Sequence, residues 1–503
     1  MTMVCFGGCA NILAIMPTPS YSHQVPFQPI WKELSLRGHQ VTTITTDPVK
    51  DPSLVNLKEI DLSSAYPIWN KEVALLTKKG TFHLMFNFVN VLKSLGYHIF
   101  LHPEVNTLIK NNSATFDVVM SEFLMLSTFA FGERFKCPTI AVTSSQPNSF
   151  LNYVVGNPNH VIAFPDLFLP EENMTLGQSI RHFVIYLYMY AWQWYNIIHV
   201  EQKIVDDFFG TDYLPLIDIL KGISLVLTNS HPVLHKPRPL MPNVIQIGGI
   251  VNRIVPERLS QKVVNKLNSS TEGFIYFSLA SDVQDLTERA RTIIMQTFSE
   301  LPYMVLCMFD SEDLSYLPKN VVTAGWLPQH IILGHPNVKL FITQGNLQSI
   351  DDAINARVPM LIMPFNGDQE YNAKTIASKR LGLMVDPKSL RRTHLKKKIF
   401  EVINNPMYKN RMIKFADIVE DQPIASIEKA IWWIEYVIRH KGAKHLKSPI
   451  LDIPTYRNEG FLKWNKLSEK LPEHEDSKIH KLALGRFFDA FLGKSGIDKE
   501  LQD

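Results

Sequence analysis

Two doubly wound α/β domains, each a parallel sheet wrapped by helices, are the architecture that this sequence predicts. Three stretches carry the expectation. Near the start, the apolar run Asn11–Met16, the helically spaced Val25–Arg37 and the β-branched Gln40–Thr45 succeed one another as strand, helix and strand. Later, Val338–Thr343 and Met360–Pro364 are short apolar runs bounded by turn residues, as strands buried on both faces of a parallel sheet read. Between them, Gly273–Leu279 (GFIYFSL) opens a second series of strands.

Composition sets the outer limits. A chain of 503 residues, 46% of them hydrophobic, is long enough for more than one domain with a full core. The formal net charge is only +3 and no basic block occurs, so nucleic acid is not an expected partner. Cys5, Cys9, Cys137 and Cys307 are scattered without metal-ligand spacing. The last two lie in apolar runs and read as buried free thiols.

Taken in order, the first strand Asn11–Met16 runs into the turn-rich PTPSYSHQ, and Gly38 is a fitting stop for the helix Val25–Arg37. Asp47-Pro48 closes the second strand. Residues 51–109 read as mixed helix and loop. Further strands are expected at Phe116–Met120, Thr139–Thr143 and Ser224–Thr228, with Pro237–Gly249 as a connection. Ile180–Val200 is the most aromatic stretch, but Arg181, His182, Gln193 and Asn196 interrupt it too often for a membrane span. A helix packed into a core or lining a pocket is the favoured reading, and a membrane-surface helix the alternative. In the second half, Leu286–Leu301 should be a helix, Met304–Met308 a strand, and Asp421–Leu446 a long helix returning towards the first domain. The tail beyond Leu446 is rich in both charges, with some amphipathic spacing at Ile479–Leu492 and no run of spanning length. The N-terminal MTMVCFGGCANILAIM has no basic segment and is at best a weak or clipped signal peptide, while sequons at Asn111, Asn173 and Asn268 would permit glycosylation.

The stretch Trp326–Asn372 organises the rest. After its first strand comes a polar turn with Gly345 where a helix should start, and amides at such an end suit a phosphate. Asp368-Gln369 follows the next strand, at the carboxyl edge where open α/β sheets bind ligands. This stretch resembles the donor-binding signature of the UDP-glycosyltransferases, of the insect type, which move a sugar from a UDP-sugar to a small lipophilic acceptor. Trp326, Gln344, Ser349, Asp352 and Asp368-Gln369 fall at the family's intervals without a gap. The resemblance implies that Trp326 stacks on uracil and Gln329 touches the nucleoside. Gln344 and Ser349 would face the diphosphate, Asp352 the ribose, and Asp368 and Gln369 the sugar hydroxyls. Departures from the wider family are Gln344 for His, Asn346 for Gly, Asp352 for Glu and Ala280 for Gly.

The same resemblance extends from about Asn11 to Leu446 and implies two Rossmann-like domains facing across a cleft, the GT-B type. Residues 1–249 would be the acceptor domain, 250–446 the UDP-sugar domain and 447–503 a charged tail, partly helical or disordered. Sugar transfer with inversion needs a base for the acceptor hydroxyl and an orienting carboxylate. His23, in the loop after the first strand, occupies the family's base position. Of the two acids in FDVVMSEF, Asp117 begins the strand and reads as a turn or cap residue, whereas Glu122 ends it and matches the family's Asp. Ser281, Gln344, Ser349 and the amides beyond Gly345 would stabilise the departing UDP, with no metal and no cofactor. The acceptor pocket would be built from 51–109 and 150–213. A peripheral membrane contact and a place in the endoplasmic reticulum lumen or outside the cell belong to the family picture, although no anchor is read here. The rival reading is a non-catalytic binder of a UDP-sugar or other small ligand on the same scaffold.

Overall fold

Strands β1 (Asn11–Met16), β2 (Gln40–Thr45), β3 (Leu57–Asp61), β4 (Val118–Glu122), β5 (Thr139–Thr143), β6 (Leu225–Thr228) and β7 (Val244–Gln246) form the first sheet, in the order β3-β2-β1-β4-β5-β6-β7. Strands β8 (Phe274–Ser278), β9 (Met304–Met308), β10 (Val321–Ala324), β11 (Val338–Thr343), β12 (Met360–Ile362) and β13 (Gly382–Met384) form the second, in the order β10-β9-β8-β11-β12-β13. The computed structural model describes residues 8–77, 81–158, 175–250, 259–279, 286–308, 317–325, 327–365 and 368–451. Every strand pairing among them is parallel. Both sheets are covered by helices on two faces, which is why β1 and β8 are apolar nearly throughout.

In each sheet the strand order reverses once beside the first strand, at β1/β4 and at β8/β11. That reversal parts the crossover helices and opens a crevice at the carboxyl ends of the strands. Register aligns those ends: Ile15 pairs with Ser121, Glu122 with Val142, and Thr143 with Thr228. The residues that follow β1, β4, β5 and β6 therefore emerge side by side along one edge.

Several elements differ from expectation. The first helix divides into Tyr21–Gln24 and Gln28–Leu36, because Pro26 has no N–H to continue the ladder and Pro29 suits a first turn. The third and seventh strands, β3 and β7, were not anticipated; LKEID is too polar and VIQ too short to stand out, and both pair at the margins of the sheet. The strand expected at Phe116–Met120 lies two residues later, which puts Glu122 at its carboxyl end as the sequence suggested. The returning helix spans only Ser426–Arg439, since Lys441 and Gly442 both take the left-handed conformation (φ 48° and 99°). It buries Ala430, Ile431, Ile434 and Val437 against the first sheet, and Glu428 pairs with Arg37 at 2.7 Å. Cys307 is a buried free thiol, but Cys137 is only half-buried.

The aromatic stretch is a single helix, Leu176–Phe209, opened by a capping box of Thr175 and Gln178. Its second half is the core part, with Glu201, Ile204 and Val205 buried. Its first half leaves Leu176, Ile180, Phe183, Leu187 and Tyr188 exposed. Among the described residues, no helix is long and apolar enough to cross a membrane. Residues 1–448 form one unit. Of the second unit, the described residues Pro449–Leu451 make a single 3-10 turn, and Ile479–Leu492 lies outside the described residues.

Candidate active site

His23 stands in the one-turn helix Tyr21–Gln24 that follows β1. The neighbouring Gln24 fixes this loop: its Nε2 donates to the carbonyls of Met16 and Thr18, and Thr45 Oγ1 donates to its Oε1. The imidazole is about one-third exposed (32%), and its Nδ1 lies 2.6 Å from Glu122 Oε1, whose carboxylate is buried (3%). The other Glu122 oxygen accepts from Thr18 Oγ1. A buried carboxylate on Nδ1 fixes the tautomer, with the proton on Nδ1 and the lone pair on Nε2. Burial works against the imidazolium, but the charge and hydrogen bond of Glu122, with a further contribution from Asp368, outweigh it and raise the His23 pKa above its ordinary value. Asp117, the acid set aside in the sequence, accepts the Asn11 N–H at 2.7 Å at the opposite end of the strands.

The second sheet supplies a different arrangement. Gly345, after β11, has φ +90°, and a Cβ there would lie 2.5 Å from Ile362 Cγ2, so only glycine fits. The helix Leu347–Asn355 starts two residues on. Its cap is Asn346, whose side chain accepts the Ser349 N–H at 2.7 Å. One terminal amide is thus satisfied by the residue that departs from the family's Gly. Gln344 is buried, and its Oε1 accepts from Thr343 Oγ1, so the donating end is Nε2. Gln329 Nε2 donates to Asp352 Oδ2 at 2.8 Å and lies 3.3 Å from Ser349 Oγ, which brings those three residues together. Asp368 Oδ2 accepts from Asn372 Nδ2, which also donates to the Gly345 carbonyl. Gln369 turns its Oε1 to the Phe365 N–H at 2.7 Å. Ser281, Ala280 and Trp326 lie outside the described residues.

Asp351 and Asp352 are buried, and Asp368 is half-buried. Asp352 is pushed up to about 6 by burial, against hydrogen bonds from Gln329 and Gln348. Asp351 is pushed up to about 8 by burial and by the charge of Asp352, with a hydrogen bond to Asn229 opposing. Burial also raises Asp368, while Asn372 and the charge of His23 hold it down. His23 and Asp368, which follow strands of different sheets, each contribute to the other's electrostatics.

Four residues of this site were not singled out in the sequence: Thr18, Ser144, Asn229 and Asn372. Ser, Thr and Asn in loops carry no pattern, and only the alignment of strand ends gives them partners. Ser144 Oγ lies 3.2 Å from His23 Nδ1. Asn372 is one turn of helix beyond Asp368, which a spacing of four could have suggested.

Comparison with known proteins agrees with this geometry. Solved structures with a similar fold include the glycosyltransferase of kitacinnamycin (TM-score 0.59, 17% identical, covering 86% of this chain and 100% of that one). Another is the glycosyltransferase VinC in complex with DTDP (TM-score 0.59, 14% identical, 86% of this chain). They place the two sheets in the GT-B architecture. Among relatives, a UDP-glycosyltransferase of Dactylopius coccus is 31% identical over 89% of this chain and 86% of its own length. The ecdysteroid UDP-glucosyltransferase of Spodoptera littoralis nuclear polyhedrosis virus is 30% identical over 86% of this chain and 89% of its own. A family model described as UDP-glucoronosyl and UDP-glucosyl transferase matches residues 11–460. With that span matched, the chain belongs to the UDP-glucuronosyl and UDP-glucosyl transferase family, whose chemistry is sugar transfer from a UDP-sugar.

Proposed function

We propose that this protein transfers a hexose, glucose foremost, from its UDP conjugate to a hydroxyl of a small lipophilic acceptor, with inversion and with His23 as general base. The observation that carries the proposal is His23 Nδ1 at 2.6 Å from a buried glutamate while the ring stays one-third exposed. His23 Nε2 takes the proton from the acceptor O–H. The acceptor oxygen then bonds to the anomeric carbon from the face opposite UDP. The C1–O bond to the β-phosphate breaks, and its electron pair leaves with UDP. Glu122 stabilises the imidazolium as it forms and itself stays ionised.

On the donor side, Trp326 takes uracil, Gln329 and Asp352 the nucleoside, and Asp368 with Gln369 the sugar hydroxyls. Gln344, Ser281, Ser349 and the amides of the helix Leu347–Asn355 meet the diphosphate, so the reaction runs without a metal. The acceptor pocket belongs to 51–109 and 150–213, within a first domain ending near residue 249. The exposed apolar half of Leu176–Phe209 is the surface for peripheral membrane contact, and exposed Asn111 and Asn268 are compatible with a secretory compartment. A second reading, a binder without turnover, is favoured by one observation: Asn346 occupies the Ser349 amide that would otherwise face a phosphate.

The test is UDP release from UDP-glucose over a panel of phenols and steroids, repeated with His23→Ala. Loss of turnover with UDP affinity retained supports the transferase. UDP binding with no release, unchanged by the substitution, establishes the binder.

A further inference from the structure

Thr18 stands in the short loop between β1 and the one-turn helix of His23, and the mechanism above gives it no part. It is fully buried (0%) and lies between two buried prolines, Pro17 and Pro19. Pro17 has its own φ fixed, and Pro19 confines the residue before it to extended backbone, so the chain has little freedom at Thr18. The Thr18 carbonyl accepts from the Ser20 N–H at 2.7 Å and from Gln24 Nε2 at 2.8 Å. Thr46 Oγ1, just beyond β2, lies 3.1 Å from the same carbonyl. Thr18 is thus tied to the base's own loop and to the end of the neighbouring strand. Its hydroxyl donates to Glu122 Oε2, while Glu122 Oε1 faces His23 Nδ1 at 2.6 Å. One buried carboxylate is held between a rigid hydroxyl on one side and the imidazole on the other.

Resting on the reading of His23 as base, we infer that Thr18 is a positioning residue whose hydroxyl fixes the Glu122 carboxylate against the imidazole. A glutamate side chain has several torsions, and the contact with His23 anchors only one of its oxygens. A bond at the second oxygen sets the plane of the carboxylate, and with it the direction in which the ring presents Nε2. Threonine suits the place, because branching at Cβ restricts its rotamers and the fixed backbone aims its hydroxyl. Valine has the same shape without the donor, so Thr18→Val leaves Oε2 without this partner in a buried setting. The groups facing His23 are Glu122, Ser144 and Asp368; those facing the Glu122 carboxylate are His23 and Thr18.

The experiment compares wild type, Thr18→Val and Thr18→Ser, and repeats Thr18→Val in a Glu122→Ala background. Two measurements are made: steady-state kinetics with UDP-glucose and a phenol, and the titration of the His23 ring followed by NMR, which needs no turnover. On the pH plateau where the base is neutral, Thr18→Val should lower kcat about 10- to 100-fold, the cost of a misplaced reacting group. KM for UDP-glucose and Kd for UDP should change far less, which also shows that the variant folds. Thr18→Ser keeps the hydroxyl and should retain most of the wild-type rate. The His23 midpoint should rise in Thr18→Val, because a carboxylate that loses a donor holds the Nδ1 proton more tightly. With Glu122→Ala in place, the Thr18→Val change should move neither kcat nor the midpoint further, since its effect passes through that carboxylate. A midpoint unmoved in Thr18→Val overturns the inference, as does an equal loss of kcat in the Glu122→Ala background. Wild-type protein that never releases UDP refutes the transferase reading instead, while the NMR titration still decides whether Thr18 acts on the ring through Glu122.

Discussion

The carboxyl edges of the two sheets solve different problems with similar folds. On the first, one imidazole is surrounded by groups that satisfy one another: Glu122 takes His23 with one oxygen and Thr18 with the other, and Ser144 stands alongside. On the second, buried Asp351 and Asp352 and half-buried Asp368 sit among amides, and desolvation drives all three upward. The Glu122 carboxylate faces a ring that can carry the opposite charge. The aspartates are held chiefly by glutamine and asparagine, and desolvation prevails even at Asp368, where the charge of His23 opposes it. On the proposed reading, the first edge serves proton transfer and the second the recognition of hydroxyls and a nucleotide.

Substitutions can break or sharpen that contrast. The largest effect belongs to His23→Ala: turnover should fall by about 10²–10⁴-fold, the range for a general base, with UDP affinity measured by calorimetry nearly unchanged. A large loss of UDP binding would mean that the first edge also carries the nucleotide. Glu122→Gln comes next, with a loss in kcat of about a hundredfold and a diagnostic change with pH. The base acts as neutral imidazole, so kcat/KM of wild type should rise with pH through a midpoint above the ordinary histidine value. Glu122→Gln removes the charge that raises this midpoint while burial still lowers it, so the rising limb should move to lower pH. A limb that stays in place would separate Glu122 from the base.

On the second edge, Trp326→Ala should weaken UDP by about 1–3 kcal/mol, the value of one base–aromatic stack, as read by calorimetry. Unchanged affinity would remove uracil from that residue. The smallest effect is the most specific. Asn346→Gly frees the Ser349 N–H, and UDP affinity should improve by about 1 kcal/mol, one hydrogen bond's worth. The lost helix cap should cost only a few tenths of a kcal/mol in stability. Tighter UDP with unchanged turnover would show that the cap limits binding and not chemistry.

Much of this was legible beforehand, and for local reasons. Strands buried on both faces announce themselves as apolar runs, which is why β1, β2, β5, β9 and β11 stand where the sequence put them. Gly345 was legible because a left-handed turn against Ile362 admits no other residue. The marginal strands β3 and β7 were not, since a short or half-polar strand acquires its identity only from the neighbour it pairs with.

The sequence by itself determined the family of the chain, its two doubly wound domains and most of the residues that bear charge at the ends of the strands. Tertiary structure alone decided which of them meet. His23 and Glu122 are 99 residues apart, and His23 and Ser144 121 apart, yet they touch. No local pattern encodes such distances; parallel register does, by bringing the carboxyl ends of β1, β4, β5 and β6 to one edge. The same register lets Asn229, unremarkable in the chain, reach Ser144, because hydrogen bonds are made between neighbours in space and a sequence records only neighbours along the backbone.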